Sequence, residues 1–324
     1  MLILSANDQK NLVDMNEVFK CVEVALKEFS ASKTDTPIRT VLPFGNSNSG
    51  LVMPSVAEGL NTMGLKYVTV VPGNKEIGKK AIHGVVLLSD IQTGEPLALL
   101  EGSYLTLIRT GALSGVATKY LARSDAKKLG IIGTGEQAIG LCEAILAVRS
   151  IETIYLFNRS EQKAYGFAEI VKKKFQKEVI ICKDANEVVR NSDILVTATT
   201  SMEPVFSEAL RPGIHINAVG SFRPTMQELP TDAICAATKV VVESKEAALE
   251  EAGDIHIPIV EGVFSPEQLH AELGQIVSGE RSGRENGREI TIYKSVGLAI
   301  VDIVVAQYFY EQAIKSKKGI VVDL

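Results

Sequence analysis

The run KKLGIIGTGEQA, from Lys127 to Ala138, constrains this chain more than any other stretch. It reads as a short apolar strand, then Gly133-x-Gly135-x-x-Ala138, then the start of a helix. Gly133 admits the tight turn, Gly135 lets backbone approach a pyrophosphate, and small Ala138 lets helix pack on strand. A helix N-terminus here offers free N–H groups and a partial positive charge to phosphates. The pattern predicts a dinucleotide loop made of Gly133, Thr134, Gly135, Glu136, Gln137 and Ala138.

The context supports that loop. After Arg123, apolar strand patterns at 128–133, 153–158, 179–183, 193–199, 215–220 and 239–244 alternate with helical patterns. Such a βαβ series predicts a parallel, doubly wound α/β sheet. Before it, residues 14–30 have helical spacing behind an Asp14-x-x-Glu17 capping pattern. Residues 39–100 break into short apolar runs punctuated by Gly, Pro and Asn, the mark of a strand-rich segment. Residues 103–122 return to helical spacing. A last strand, EITIYKS, precedes VGLAIVDIVVAQYFYEQAIKS, a helix so apolar that it is expected to pack back into the first domain. The charged, Gly-rich stretch 279–289 reads as a solvated loop.

Composition excludes several classes. Net charge is −5, which argues against a nucleic-acid partner. No apolar run approaches the roughly 20 residues of a membrane span. The N-terminus lacks the basic flank of a signal peptide. Cys21, Cys142, Cys182 and Cys235 are scattered and read as reduced thiols of a cytoplasmic protein. With no metal-binding spacing of His or Cys, no metal is expected.

The second strand of the series ends in Asn158-Arg159-Ser160. An NAD enzyme usually has Asp or Glu about 20 residues past its glycines, bonded to the ribose 2′-OH. Here a neutral amide, a guanidinium and a hydroxyl replace it, and Arg offers phosphate a charged fork. NADPH is the expected cofactor, with NADH as the alternative. Ligands sit at the carboxyl ends of such strands. Thr199, Thr200, Val219 and Gly220 are therefore further cofactor candidates, although Thr200 also suits a helix N-cap.

One order of motifs runs over nearly the whole chain: Arg39, Val52-Met53-Pro54, Gly64-Leu65-Lys66, Ile108-Arg109-Thr110-Gly111-Ala112, the GTGEQA loop, GSFRPTMQEL, and Tyr293-Lys294-Ser295-Val296-Gly297. It resembles the ornithine cyclodeaminase/mu-crystallin family. The resemblance implies a Rossmann domain, residues 123–296, inserted into an α+β substrate-binding and dimerisation domain, residues 1–122 plus 297–324. It also implies a homodimer, cofactor contacts at Thr110, Ser295 and Gly297, and substrate-carboxylate contacts at Arg39, Lys66 and Arg109.

The residues themselves agree on the last point. Arg39, Lys66 and Arg109 are cations on otherwise apolar elements. Buried cations need anionic partners, which a substrate carboxylate or an internal salt bridge would supply. Asp90, Glu101 and Glu228 are candidate second partners. Ornithine cyclodeaminase carries a Glu two residues before its Met-Pro pair and a catalytic Asp after its paired glycines. Leu51 and Phe222 stand at the matching positions here. A second substrate ammonium would find no counter-charge there. An apolar wall with a carboxylate clamp, lined by Met53 and Phe222, suits a cyclic imino acid. The expected reaction is NADPH-dependent reduction of Δ1-pyrroline-2-carboxylate to L-proline, and of Δ1-piperideine-2-carboxylate to L-pipecolate as a further substrate. Lys66 or a water would supply the proton. Ornithine cyclodeamination, alanine-dehydrogenase chemistry and a crystallin-like NADPH-binding role are the competing readings. Of the histidines, His83 is the one expected near the pocket, while His215, His256 and His270 read as structural.

Overall fold

The computed structural model describes residues 1–323, apart from the side chain of Lys75. It divides into two compact units, Met1–Arg109 with the chain from Leu298 onward, and Thr110–Gly297. The first seam falls inside a helix, not after it.

The first unit opens with β1 (Leu2–Leu4), α1 (Ala6–Leu12) and α2 (Met15–Ser30). Asp14 caps α2 through the amide of Asn16 at 2.9 Å. Glu17 does not close the expected box; its carboxylate accepts instead from Lys20 at 2.7 Å. A meander follows: β2 (Thr40–Phe44), β3 (Asn48–Ala57), β4 (Thr62–Val70), β5 (Ile82–Ser89) and β6 (Pro96–Glu101). Their Val-rich alternating runs suit a sheet with one covered face. Helix α3 (Gly102–Leu121) leaves β6 without a loop. The junction is tight: a Cβ on Gly102 would lie 2.6 Å from the carbonyl carbon of Gly84.

The second unit holds β7 (Lys128–Ile132), α4 (Ala138–Val148), β8 (Thr153–Phe157), α5 (Glu161–Phe175), β9 (Glu178–Ile181), α6 (Ala185–Asn191) and β10 (Ile194–Thr197). Then come β11 (His215–Ala218), α7 (Thr231–Ala236), β12 (Lys239–Val242), α8 (Lys245–Glu251), α9 (Gly253–Val260), β13 (Leu269–Glu272), α10 (Leu273–Val277) and β14 (Thr291–Lys294). The strands form one sheet in the order β13-β12-β14-β11-β10-β7-β8-β9. Every pairing is parallel. Counting from β7, the run β9-β8-β7-β10-β11 follows the 3-2-1-4-5 order of dinucleotide-binding sheets, with the reversal between β7 and β10. Alternation feeds two cores. Leu129, Ile131, Ile194 and Val196 join one cluster, and Ile132, Leu195, Ile216 and Ile292 the other. Both faces of the sheet are thus buried.

The stretch 279–289 is not simply solvated. Arg284 donates to the carbonyls of Leu121 (2.5 Å), Ile214 (3.0 Å) and Glu289 (2.7 Å). Buried Lys239 donates to the Gly283 carbonyl at 2.5 Å and pairs with Glu285 and Glu289 at 2.6 and 3.2 Å. The C-terminal carbonyls of α3 need donors. Arg284 supplies one, and Arg149 reaches the carbonyls of Thr118 and Ala122 at 2.8 and 3.0 Å.

The chain returns to the first unit through α11 (Ala299–Ser316) and β15 (Ile320–Val321). The first sheet then has the order β15-β1-β6-β5-β4-β3-β2. Helix α11 packs against α2 and against β3, β4 and β5. It begins three residues later than its apolar run suggests, at Ala299.

Candidate active site

Strand β4 turns alternate residues inward, and Lys66 is one of them, paired across the sheet with Met53 on β3 and Val86 on β5. Only 2% of Lys66 is exposed. Thr106 and Arg109, one turn apart on α3, approach it from a second element, and Asp302 on α11 from a third. The Lys66 ammonium donates to Asp302 Oδ1 at 2.6 Å and to Thr106 Oγ1 at 2.6 Å. Arg109 Nε donates to the same Oδ1 at 3.0 Å. Asp302 is fully buried, and its Oδ2 has no hydrogen-bond partner among the described residues. Burial pushes the Lys66 ammonium down to about 8; the charges of Arg109 and Arg39 add to that, and Asp302 opposes them.

This corrects part of the sequence expectation. Lys66 and Arg109 already share an internal carboxylate, and it belongs to none of the acids considered. Asp90 closes its own turn, accepting from the amides of Gln92 and Thr93. Glu101 caps α3 through Ser103 and Tyr104. Glu228 lies in the second unit. The missed residue did leave a signal. Asp302 is a lone acid inside the apolar run AIVDIVVA, the same mark that singled out Lys66 and Arg109. One carboxylate between two guanidinium and ammonium charges still leaves the pair with an excess positive charge, so an anion remains favoured beside it.

In the second unit Gly133 has φ +98°, and a Cβ there would lie 2.6 Å from the Ala198 carbonyl oxygen. Packing alone therefore requires that glycine. Gly135 differs: its nearest neighbour would be that same oxygen, at 3.9 Å. Nothing in the protein crowds Gly135, so its openness serves whatever approaches from outside. The amides of Gly135, Glu136 and Gln137 have no acceptor among the described residues. Gln137 leaves α4 without a side-chain cap, and Ala138 is fully buried at the first turn. Gly111 brings α3 onto α4, since a Cβ would meet the Gly140 carbonyl at 2.5 Å. Thr110 beside it is buried. Uncapped amides around an open glycine fit a dinucleotide pyrophosphate.

Asn158 does not point its amide outward. Its Oδ1 accepts from the Thr134 amide at 3.2 Å, and its Nδ2 donates to the Ser160 carbonyl at 3.0 Å. It thus braces the glycine loop against the end of β8. Arg159 is exposed and has no ion-pair partner among the described residues.

Other strand ends are held by buried acids. Glu228 accepts from the amides of Thr199 and Gly220 at 2.6 and 2.7 Å. Glu243 accepts from Ser295 Oγ at 3.0 Å and from the Gly297 amide at 2.5 Å. Thr200 is exposed, and no helix follows it, so the N-cap reading fails. Val219 and Phe222 are half-buried; the Arg223 guanidinium lies 5.7 Å from the Phe222 ring. His83 is exposed on β5. His215 is buried 3.0 Å from Thr291 Oγ1, and burial with nearby Arg284 pushes it down to about 3, so it stays neutral.

The shared carboxylate makes a direct prediction. Asp302→Asn leaves two buried cations without their anion. The variant should lose about 3–5 kcal/mol of stability, read as a lower denaturant midpoint at unchanged slope. Lys66→Met in the same chain should recover part of it. Full stability in Asp302→Asn would refute the pairing.

The sequence model of the ornithine cyclodeaminase/mu-crystallin family matches residues 1–317. A Delta(1)-pyrroline-2-carboxylate reductase of Bacillus cereus is 65% identical over 320 residues, 98% of each chain. The solved Thermococcus litoralis Delta(1)-pyrroline-2-carboxylate reductase, in complex with NADH and L-proline, superposes with a TM-score of 0.96 at 43% identity, covering 99% of this chain and 100% of that one. An archaeal alanine dehydrogenase dimer with bound NAD gives a TM-score of 0.93 at 34% identity, covering 100% and 99%. A family match across residues 1–317 and a relative 65% identical over 98% of each chain agree: this chain belongs to the ornithine cyclodeaminase/mu-crystallin family.

Proposed function

We propose that this protein is an NAD(P)H-dependent oxidoreductase acting on a C=N bond, and that it reduces Δ1-pyrroline-2-carboxylate to L-proline, using NADPH in preference to NADH. The carrying observation is the buried group in which Lys66 and Arg109 share one carboxylate, with the charge of Arg39 close enough to act on Lys66. Its residual positive charge selects a small carboxylate. A Delta(1)-pyrroline-2-carboxylate reductase 65% identical in sequence supports the same choice.

The residues take the following roles. Arg109 and Arg39 hold the substrate carboxylate and so fix the ring. Lys66, held down near 8, protonates the imine nitrogen, which makes the adjacent carbon a better hydride acceptor. Asp302 keeps that ammonium charged and aimed. NADPH, when bound at Gly133–Ala138, supplies the hydride. Met53 is buried opposite Lys66, and with half-buried Leu51 it offers hydrocarbon, not charge, to the ring. The six-membered homologue Δ1-piperideine-2-carboxylate suits the same wall, whereas ornithine's second ammonium does not. Unpaired Arg159 supports the NADPH preference. The four free thiols accord with a cytoplasmic site of action.

A homodimer completes this reading. The edge strand β2 exposes Val41, Leu42 and Phe44 at 54, 49 and 45%, beside Tyr67 at 42%. An uncovered apolar edge invites a second copy.

Four outcomes are expected. Purified protein should oxidise NADPH with Δ1-pyrroline-2-carboxylate, more slowly with pyruvate plus ammonia, and release no ammonia from ornithine. Inactivity with the cyclic imine would sink the proposal. Arg159→Asp should weaken NADPH relative to NADH by about tenfold or more. Its kcat/KM should fall as pH rises through about 8, because the Lys66 proton is lost there; Lys66→Gln should be slower by about 10²–10⁴ and lack that limb. Phe44→Glu should elute as a monomer in size-exclusion chromatography where the parent elutes as a dimer.

A further inference from the structure

The second unit carries a buried charged chain that the reaction itself does not use. Lys294, Asp254 and Glu228 are each fully buried. The Lys294 ammonium sits 3.1 Å from Asp254 Oδ2. Asp254 Oδ1 accepts from the amides of Glu228 and Leu229 at 2.7 and 2.9 Å. The Glu228 carboxylate is thereby fixed at its own backbone, and it spends both oxygens on the ends of two strands. Oε1 accepts from the Thr199 amide at 2.6 Å, just past β10. Oε2 accepts from the Gly220 amide at 2.7 Å, just past β11, and from Thr197 Oγ1 at 3.1 Å.

Two carboxylates face one ammonium here, in a place where apolar packing would be less costly. Burial pushes the Glu228 carboxyl upward, while Lys294 pulls it back. Gly220 is committed to the arrangement as well. A Cβ there would lie 2.1 Å from the Thr199 carbonyl oxygen and 2.5 Å from Glu228 Oε1. A group so constrained, against the local preference for apolar packing, is expected where function demands it.

The place says what the demand is. The sheet reverses between β7 and β10, and a dinucleotide lies across that reversal with one nucleotide on each half. The glycine loop after β7 and Arg159 after β8 serve the adenosine half. The ends of β10 and β11 belong to the other half.

We infer that Glu228 is a positioning residue for the nicotinamide half of the dinucleotide, setting the two loops at Thr199 and Gly220 through their amides. The inference rests on the cofactor reading above. A glutamine at this position keeps the shape but has one acceptor oxygen, and its NH2 would confront an N–H. One of the two loops must then come loose.

The test compares whole and half ligands on the full-length protein. Binding of NADPH and of 2′,5′-ADP is titrated in the parent and in Glu228→Gln, with NADH and AMP in parallel. The parent must bind one dinucleotide; if it binds neither, the cofactor reading fails and not this one. In Glu228→Gln the dinucleotide should weaken about tenfold or more, while the adenosine fragment stays within about twofold of the parent. Unchanged dinucleotide binding would overturn the inference. So would an equal loss for both ligands, which marks a merely structural acid. Thr197→Val, which removes a single bond to Oε2, should show the same selective loss on a smaller scale. It decides the matter by the same criteria if Glu228→Gln does not fold.

Discussion

Charge buried with too few partners organises both units of this protein. In the first, Lys66 and Arg109 converge on a single oxygen of Asp302, from a strand, a helix and the returning C-terminal helix. Desolvating such groups costs several kcal/mol each unless they are paired. Helix α11 is therefore more than an apolar cover for β3, β4 and β5. It brings the one carboxylate that lets two cations stay inside, and it leaves them short of a full complement. That shortfall is what a small anionic substrate can relieve. The same surroundings hold Lys66 near 8, where an ammonium can both carry charge and give up a proton.

The second unit is organised by different means. Around the glycine loop the described residues place no buried charge, only uncapped amides, an open Gly135 and an exposed Arg159. Gly133 and Gly220 are demanded by neighbouring backbone, Gly135 by the space left for a ligand. At the ends of β10, β11 and β14 the device changes again, to the acids Glu228 and Glu243, each gathering backbone amides from a neighbouring strand end. An acid that accepts several N–H groups sets loop geometry more firmly than a neutral side chain can.

Much of this was legible in the linear order of residues. The alternation of strands and helices after Arg123 foretold the parallel sheet, because each βαβ step is local. Lys66 and Arg109 stood out, because a charge in an apolar run is visible without a fold. Asp302 carries the same mark, but its pairing joins positions far apart in the chain and so cannot be read from local pattern. Strand β13 leaves no local signal: LHAE is short and shows no run of β-branched residues. Asn158, a cofactor candidate by its place in the sequence, also braces the glycine loop through its amide, a contact that depends on where β8 ends relative to β7. The loop 279–289 looked solvated because its charges are dense, yet Arg284 and Lys239 use them to close helix and strand ends.

The order of residues alone carries the doubly wound sheet, the glycine loop, the family resemblance and the apolar residues at Leu51 and Phe222. The sheet and the loop follow from periodicity and from residue type at short spacing; the readings of Leu51 and Phe222 follow from the resemblance. Three-dimensional packing settles which carboxylate faces which cation, that β14 lies between β11 and β12, and which glycines are crowded and which open. Those facts depend on distances across the core. A burial cost fixes that a partner must exist, but only the packed chain brings it within hydrogen-bond reach.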